Sequence, residues 1–486
     1  MKKAVRLLSL PILAALLLMP SCAVNPVTGK RQFMLMSEAQ EIQMGRDYDP
    51  QVTATFGEYQ NEALLAFIQE QGLEMGKISH RPNLEYHFRI LDTPVINAFA
   101  VPGGYIYLTR GILAQFNNEA EMIGVLGHEM GHITARHSVA RASKQQLGQL
   151  LLIGGMIASE EFRKYAQFAM AGMELLFLSY SREDEREADR LGVEYTAKIG
   201  YDARRMADFY QVLVKMNLAS DHGGVPTFLS THPDPGDRYN AVKQDAGRWM
   251  DSLSNDNWKT NAEGYLAMLD GMVYGEDPRQ GYVDGNTFYH PELKFFFSFP
   301  AGWRLENSPM QVSIAPGDGK ALMLFMFAPG NSLEEAAQNT LQQLDLNVIE
   351  TNRTRVNGLP AIAALSDQVQ QNPNTGEQQT IRVLSYFIDY EGSYYVFHGV
   401  SSGADFDTYL RAFETSMAGF DRLADPARLN VQPERIRIRR TERTATFSEI
   451  LRDFGVPGDK MEEVAFLNNR DLNDRIPAGT LLKIPS

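Results

Sequence analysis

A short motif, His-Glu-Met-Gly-His at residues 128–132, constrains the fold of this 486-residue chain more than any other feature. On an α-helix, residues four positions apart lie on one face, about 6 Å from each other, so His128 and His132 can direct both imidazoles at one point. Glu129 lies about 100° around the helix from His128, near that point without having to be a ligand. This spacing is typical of a zinc site in which the glutamate takes a proton from the attacking water.

The residues around the motif predict a buried helix. With nine histidines in the chain, an accidental match to the motif is roughly a one-in-a-hundred event. Asn117 and Asn118 are suitable N-caps, and the helical pattern continues to about Ser143. His137, nine residues after His128, is expected on the opposite face and is not counted as a ligand. The helix has an apolar body made by Val125, Leu126, Met130 and Ile133.

A catalytic zinc needs a third protein ligand and keeps its fourth position open. The candidates lie in a second acidic stretch, "SYSREDEREADRLG", at residues 179–192. Spacing alone leaves Glu183, Glu185 and Glu187 as alternatives. The other charges of this stretch are expected on a solvated helix face.

Together, "HEMGH" and "SREDEREAD" resemble the M48 family of zinc metallopeptidases, and the resemblance covers roughly residues 25–250. It implies a mainly helical gluzincin domain over residues 37–280 that holds one Zn²⁺ per chain. It also implies that Glu185 is the third ligand and that Asp189 hydrogen-bonds a ligand histidine and fixes its tautomer. The opening segment "CAVNPVTGKRQFMLMSEAQEIQMG" is similar to the lipoprotein branch of the family.

The same resemblance implies a substrate-binding strand. "NAFAVPGGYIYLTRG" at residues 97–111 is similar to the family strand beside the zinc, to whose edge a peptide adds through main-chain hydrogen bonds. Asn97, Ala98 and Phe99 would then contact the substrate. The alternative is an ordinary core strand.

A Pro- and Gly-rich stretch at residues 225–238 predicts a loop that contains "THPDPGDR". In periplasmic relatives a histidine of the matching loop can occupy the open zinc position, which implies that His232 is a latency ligand. An ordinary His-Pro turn is the alternative. Arg238 matches a family arginine and is expected to act in catalysis, by meeting the developing oxyanion, or else to meet a nearby carboxylate.

The N-terminus predicts an exported lipoprotein. Lys2, Lys3 and Arg6 precede an apolar stretch at residues 7–19 that is short for a membrane span. Cys22, the single cysteine of the chain, ends a segment that resembles a bacterial lipobox, so residues 1–22 are interpreted as a signal peptide with a lipidation site. Residues 23–36 are predicted to be a tether, and the location is predicted to be the periplasmic face of the outer membrane.

Two further domains are predicted after the peptidase domain. Residues 286–425 alternate strand-rich and helical segments and predict an α+β domain of unknown role, similar to the Mog1 and PsbP folds. Residues 433–486 follow a βααβ order and resemble a LysM domain, which implies peptidoglycan binding. A basic cluster there is either a solvated sheet face or a contact for anionic lipid or cell-wall polymer; it contains Arg435, Arg437, Arg439, Arg440 and Arg443.

The charge balance restricts the partners. The formal net charge of −14 argues against a nucleic-acid-binding protein, because an acidic surface repels phosphate. The sequence therefore predicts an α+β, multidomain, membrane-anchored zinc metalloendopeptidase that acts on misfolded or stalled envelope proteins. The alternatives are a non-catalytic zinc-bound scaffold with chaperone-like binding and a peptidoglycan-binding envelope protein.

Overall fold

The computed structural model describes residues 22–143, 180–219, 228, 231–232, 235–253, 255–371 and 378–486. They form two compact units. The first unit contains the described residues of 1–53 and 57–275 together with 434–486, and the second contains 54–56 and 276–433. The predicted signal segment before Cys22 lies outside the described residues. No helix in the described ranges has the length and apolar character that a membrane crossing requires.

The segment predicted to be a tether is folded. Residues Cys22–Val24 (β1) and Arg31–Phe33 (β2) pair as an antiparallel hairpin. The side chain of Asn25 donates to the carbonyl of Ala135 at 3.3 Å, and Met34 is buried against Val139 and Ala140. The tether prediction for residues 23–36 is therefore wrong, because the segment buries apolar surface against the chain that follows the zinc motif.

Helices form most of the first unit. Ser37 caps the first of them through a capping box with Gln40, and Asn118 caps the helix that carries the zinc motif, as predicted. A single turn separates that helix from helical residues 137–143. The helices of this unit are Glu38–Phe56 (α1), Glu62–Ile78 (α2), Arg110–Gln115 (α3), Glu119–Thr134 (α4), Arg182–Lys198 (α5), Arg205–Ala219 (α6), Pro235–Leu253 (α7) and Ala262–Leu269 (α8).

A three-stranded sheet packs beside α4. Its strands are His87–Leu91 (β3), Ala98–Val101 (β4) and Tyr105–Thr109 (β5), in the order β3–β5–β4. β5 runs parallel to β3 and antiparallel to β4. The strand character expected for residues 97–111 is confirmed, and β4 lies at one end of the sheet order.

The C-terminal segment belongs to the first unit instead of forming a separate module. Its buried Ile436 and Leu467 are part of the hydrophobic core that contains the zinc helix. The main chains of residues 271–274 and 434–436 exchange hydrogen bonds of 2.8 Å. The predicted βααβ order is present in Ile436–Arg440 (β17), Phe447–Asp453 (α12), Met461–Leu467 (α13) and Leu481–Pro485 (β20), with a short bridge between Ala445–Thr446 (β18) and Arg475–Ile476 (β19).

Antiparallel sheets and two main helices form the second unit, in agreement with the predicted mixture of strands and helices. A seven-stranded sheet has the order β12–β13–β14–β15–β11–β10–β9, and a four-stranded sheet has the order β16–β8–β7–β6. The strands are Tyr282–Asp284 (β6), Thr287–His290 (β7), Phe295–Ser298 (β8), Arg304–Asn307 (β9), Gln311–Ala315 (β10), Ala321–Phe327 (β11), Asn347–Val356 (β12), Leu359–Gln371 (β13), Gln378–Tyr390 (β14), Ser393–Ser402 (β15) and Asp421–Arg422 (β16). The helices are Leu333–Gln343 (α9), Phe406–Ala418 (α10) and the short Pro426–Leu429 (α11).

Candidate metal centre

The zinc motif lies on a helix that is buried on every side. All sixteen residues of α4 are buried, and His128 and Glu129 are completely inaccessible to solvent. A helix in such a position must have a close neighbour, and α5 provides it. A Cβ on Gly192 of α5 would lie 2.8 Å from the backbone nitrogen of His128, and one on Gly127 of α4 would lie 3.0 Å from the Gly192 carbonyl oxygen. Because Gly127 and Gly192 have no side chains, the two helices approach closely enough for their polar residues to meet.

Four side chains converge at this crossing: His128, His132, Glu185 and His232. His128 Nε2 lies 3.0 Å from His132 Nε2 and 3.2 Å from His232 Nδ1. Glu185 Oε1 lies 3.4 Å from His132 Nε2 and 3.0 Å from His232 Nδ1. A tetrahedral Zn²⁺ with ligands at about 2.0–2.1 Å has edges of about 3.3–3.4 Å between ligand atoms. The observed separations are therefore close to those of a tetrahedral zinc site.

The polar atoms around this point fit a bound cation. Within the described part of the chain, both carboxylate oxygens of Glu129 and Nε2 of His232 are buried without a hydrogen-bond partner. Nε2 of His232 is 3.6 Å from Glu129 Oε1, too far for a hydrogen bond. Three imidazoles and one carboxylate are also the ligand types that Zn²⁺ prefers. The residues present therefore fit zinc.

Burial and neighbouring charges act in opposite directions on the ionisable groups of the site. Burial raises the pKa of Glu185, but the attraction of His232 and Arg238 outweighs it and holds this pKa well below its usual value. Burial lowers the pKa of His232, and Glu185 and Glu129 reverse the effect, so that its pKa is raised. Burial lowers the pKa of His132, which keeps this imidazole neutral, as a ligand must be. Burial raises the pKa of Glu129.

Asp189 lies where the resemblance implies. Its Oδ1 is 2.9 Å from His128 Nδ1, so this carboxylate accepts the Nδ1 proton and leaves Nε2 free for a metal. Tyr210 of α6 donates to the same oxygen at 2.6 Å. Burial alone would raise the pKa of Asp189, but Arg238 outweighs burial and lowers it, so the group stays ionised.

Arg238 contacts carboxylates, which is the second of the two predicted alternatives. Its Nε donates to Asp189 Oδ2 at 2.7 Å, and its Nη1 lies 2.7 Å from Glu185 Oε2. The guanidinium therefore orients both acidic residues, and the expected oxyanion role of Arg238 stays a prediction. The predicted loop over 225–238 also ends early, because α7 begins at Pro235.

The prediction that His137 lies on the opposite helix face is wrong. α4 ends at Thr134, and Arg136 has a positive φ of 57°, so the helix is interrupted and His137 is not on the motif helix. His137 Nδ1 lies 2.9 Å from His132 Nδ1. On the other face of His132, the ring of Tyr180 stacks with a centroid distance of 3.8 Å. Sequence reasoning missed Tyr180 and Tyr210, for which the sequence has no spacing signal.

The expected substrate-contacting residues are buried. Asn97 and Ala98 are 3% and 0% exposed, and Phe99 is 6% exposed. Asn97 exchanges hydrogen bonds with Thr109, whose Oγ1 accepts from the Asn97 backbone at 3.1 Å. β4, which contains Ala98 and Phe99, packs against α4. The substrate-binding role of these three residues stays a prediction.

The central part of the chain matches a known protein family. Residues 63–246 match the family model Peptidase family M48, and this range contains His128, Glu129, His132, Glu185 and His232. Residues 63–246 form an M48 peptidase domain.

Several curated proteins match part of the chain. Beta-barrel assembly-enhancing protease of Escherichia coli (strain K12) is 28% identical over 224 residues, which are 44% of this chain and 45% of that protein. Putative beta-barrel assembly-enhancing protease of Vibrio cholerae is 35% identical over 166 residues, 32% and 33% of the two chains. Metalloendopeptidase OMA1, mitochondrial, of Bos taurus is 29% identical over 233 residues, 44% of each. The match spans less than half the length of these curated relatives.

Solved structures are similar to a smaller part of the chain. Cyanobacterial PsbP (CyanoP) of Synechocystis has a TM-score of 0.23 at 10% identity and covers 28% of this chain and 91% of its own. The Saccharomyces cerevisiae Ran-binding protein Mog1p has a TM-score of 0.23 at 10% identity and covers 30% and 99%. Scores this low do not establish a shared fold, so the Mog1 and PsbP similarity stays a prediction.

Proposed function

We propose that this protein is a zinc endopeptidase of the cell envelope that hydrolyses peptide bonds in misfolded or stalled envelope proteins. The observation that carries the proposal is the convergence of His128, His132, Glu185 and His232 beside the unpaired carboxylate of Glu129. A structural zinc site has no need of a buried, unpartnered carboxylate, which is unfavourable unless it has a function. The M48 match of residues 63–246 supports the same reaction class.

His128, His132 and Glu185 would hold the ion, and Glu129 would handle the protons. When bound, Zn²⁺ supplies Lewis-acid activation of water and of the scissile carbonyl. Glu129 accepts the proton of the attacking water and passes it to the leaving amine. Its raised pKa suits this exchange, because the carboxyl group must both take up and release a proton. Asp189 and Arg238 keep the ligands in place.

A latent state follows from the position of His232. Three protein ligands leave a coordination position for the reaction, whereas four protein ligands close the site. His232 Nδ1 lies 3.2 Å from His128 Nε2 and 3.0 Å from Glu185 Oε1, within the ligand group. We therefore propose that the arrangement described here is latent and that His232 leaves before cleavage.

The substrate is proposed to be an extended polypeptide, bound main chain to main chain at β4 through Asn97, Ala98 and Phe99. The names of the bacterial relatives connect them with β-barrel assembly, which favours envelope proteins as substrates here. We further propose that Cys22 is lipidated and holds the protein at the outer membrane, and that residues 433–486 contact peptidoglycan.

Glu129→Gln tests the mechanism. We expect the purified parent to bind about one zinc per chain. It should cleave casein once His232 has left the metal site. The variant should keep its zinc and lose cleavage by about 100-fold or more, because a general base contributes about 10²–10⁴-fold. Glu183→Gln, an exposed change on α5, is the matched control and should cleave like the parent. Full cleavage by Glu129→Gln would remove the proposed mechanism.

A further inference from the structure

The two motif histidines have different supports on the side away from the cluster. His128 Nδ1 faces the carboxylate of Asp189 directly, at 2.9 Å. His132 Nδ1 faces another imidazole, His137 Nδ1, at 2.9 Å. His137 Nε2 in turn lies 3.1 Å from Glu187 Oε2. His137 is 2% exposed, so both of its ring nitrogens must be satisfied by protein groups.

These contacts permit one consistent arrangement of protons. His132 Nε2 faces the ligand group and must be bare to bind a metal, so His132 carries its proton on Nδ1. That N–H can be satisfied only if His137 Nδ1 is bare and accepts it. The proton of neutral His137 is then on Nε2, where Glu187 accepts it. Glu187 therefore fixes the tautomer of His137, and His137 fixes the tautomer of the ligand His132.

The turn after α4 is built to bring His137 into this position. Arg136 adopts a left-handed conformation, which is unfavourable for a non-glycine residue. Its Nε donates to Glu41 Oε2 at 2.8 Å, and its Nη2 donates to the carbonyl of Met36 at 3.1 Å. Glu41 is buried and also accepts from Arg81 at 2.7 Å. These buried ion pairs stabilise the turn that places His137 beside His132.

We propose that His137 is a positioning residue of the zinc site, which fixes the tautomer and ring orientation of His132 and is itself anchored by Glu187. The inference rests on the proposed metallopeptidase function and adds a residue that does not touch the metal. Both motif histidines are then oriented by carboxylates of one helix, α5: His128 by Asp189 directly, and His132 by Glu187 through His137. α5 therefore orients both motif histidines in addition to supplying Glu185.

Two amide substitutions separate this role from simple space filling. His137→Asn places an amide near the original Nδ1, where its oxygen can accept from His132, but it does not reach Glu187. His137→Gln reaches the original Nε2 and Glu187, but places no acceptor at His132. Gln is closer to histidine in volume, so a packing role predicts that Gln is tolerated better than Asn. The positioning role predicts the opposite order.

The measurement is zinc affinity of the full chain, by competition with a chromophoric chelator, together with thermal unfolding of the metal-free proteins. We expect His137→Gln to bind zinc about 10–100-fold more weakly than the parent, which is typical for loss of a residue that orients a ligand. His137→Asn should recover most of that loss. Glu187→Ala leaves His137 in place and should weaken zinc binding by a smaller factor.

The outcomes separate this inference from the proposed function. Equal zinc affinities for the Asn and Gln variants, or stronger binding by Gln, would overturn the positioning role while the parent still binds zinc. A parent that binds no zinc would overturn the proposed function as well. If the His137 variants unfold at room temperature, Glu187→Ala decides: unchanged affinity overturns the inference, and weaker affinity supports it.

Discussion

His232 differs from the other three members of the cluster in how the fold holds it. His128 and His132 are fixed by α4 and Glu185 by α5, whereas His232 follows Phe228 in the segment that leads to α7. Its ring stacks on that of Phe228 at 4.5 Å, and its backbone N–H donates to the Phe228 carbonyl at 2.8 Å. His232 itself lies outside the helices that carry the other three members, as a removable fourth ligand requires.

His232→Ala should therefore activate the enzyme. If His232 occupies the fourth position in most molecules, only a small fraction of the molecules is competent for cleavage. Removal of this fourth ligand should then raise casein cleavage by roughly tenfold. The assay compares zinc-loaded parent and variant, with the double variant Glu129→Gln/His232→Ala as an inactive control. If the zinc-loaded variant cleaves no more than the parent, the latency proposal is wrong; if it cleaves nothing, the non-catalytic scaffold is favoured.

Single residues of the site differ in how far the sequence predicts them. His128, Glu129 and His132 follow from spacing alone, because a helix fixes their geometry locally. Glu185 could not be separated from Glu183 and Glu187 by spacing, and the family resemblance selected it. The structural roles of Tyr180 and Tyr210 could not be predicted, because each reaches the site from an element whose placement depends on tertiary packing.

At the scale of elements, the crossing of α4 and α5 determines whether the site exists. Gly192→Ala would put a Cβ 2.8 Å from the backbone of His128, and backbone cannot move aside cheaply. We expect a loss of about 1–3 kcal/mol in unfolding free energy and weaker zinc binding, because Glu185 and Asp189 would move away from the histidines. Urea unfolding and chelator competition measure the two effects.

Gly247→Ala is the matched control, because this glycine of α7 has no atom within 4 Å of an added Cβ. Alanine there should stabilise the helix by about 0.5–1 kcal/mol and leave zinc affinity unchanged. If Gly192→Ala behaves like Gly247→Ala in both measurements, the close approach of α4 and α5 does not control the site.

The errors in predicting elements share one cause. The hairpin of residues 22–33 and the end of α4 at Thr134 depend on contacts with distant parts of the chain. Asn25 bonds to Ala135, more than a hundred positions away, and the turn at Arg136 is held by Glu41. Local propensity does not include these contacts, whereas the cap at Asn118 is local and is predicted from the sequence.

Within the first unit, the C-terminal segment takes part in the peptidase fold, which its local βααβ pattern could not reveal. Lys483 of β20 is completely buried, and its Nζ lies 2.7, 3.2 and 2.9 Å from the carbonyl oxygens of Ala114, Gln115 and Phe116. These carbonyls end α3, just before the zinc helix. Burial lowers the pKa of Lys483 to about 7, and the three acceptors favour the protonated form, which alone can donate to all of them.

Truncation of residues 430–486 would remove Lys483 together with the core residues Ile436 and Leu467. A point variant at Lys483 is therefore a more specific test of how the C-terminal segment stabilises the rest of the first unit. Lys483→Met keeps the length of the side chain and leaves three buried carbonyls without a donor. We expect a loss of about 3 kcal/mol in unfolding free energy. Thermal unfolding should show a lower midpoint, and zinc-dependent cleavage should be lost at a correspondingly lower temperature.

Lys215→Met is the control for this prediction, because Lys215 also contacts the C-terminal segment but does so at the surface. Its Nζ lies 3.1 Å from Asp471, and both side chains are substantially exposed. A surface ion pair contributes about 0–1 kcal/mol, so this variant should unfold close to the parent. Equal midpoints for both lysine variants would mean that the C-terminal segment only rests on the peptidase domain, and residues 433–486 would then be free to act as an independent wall-binding module.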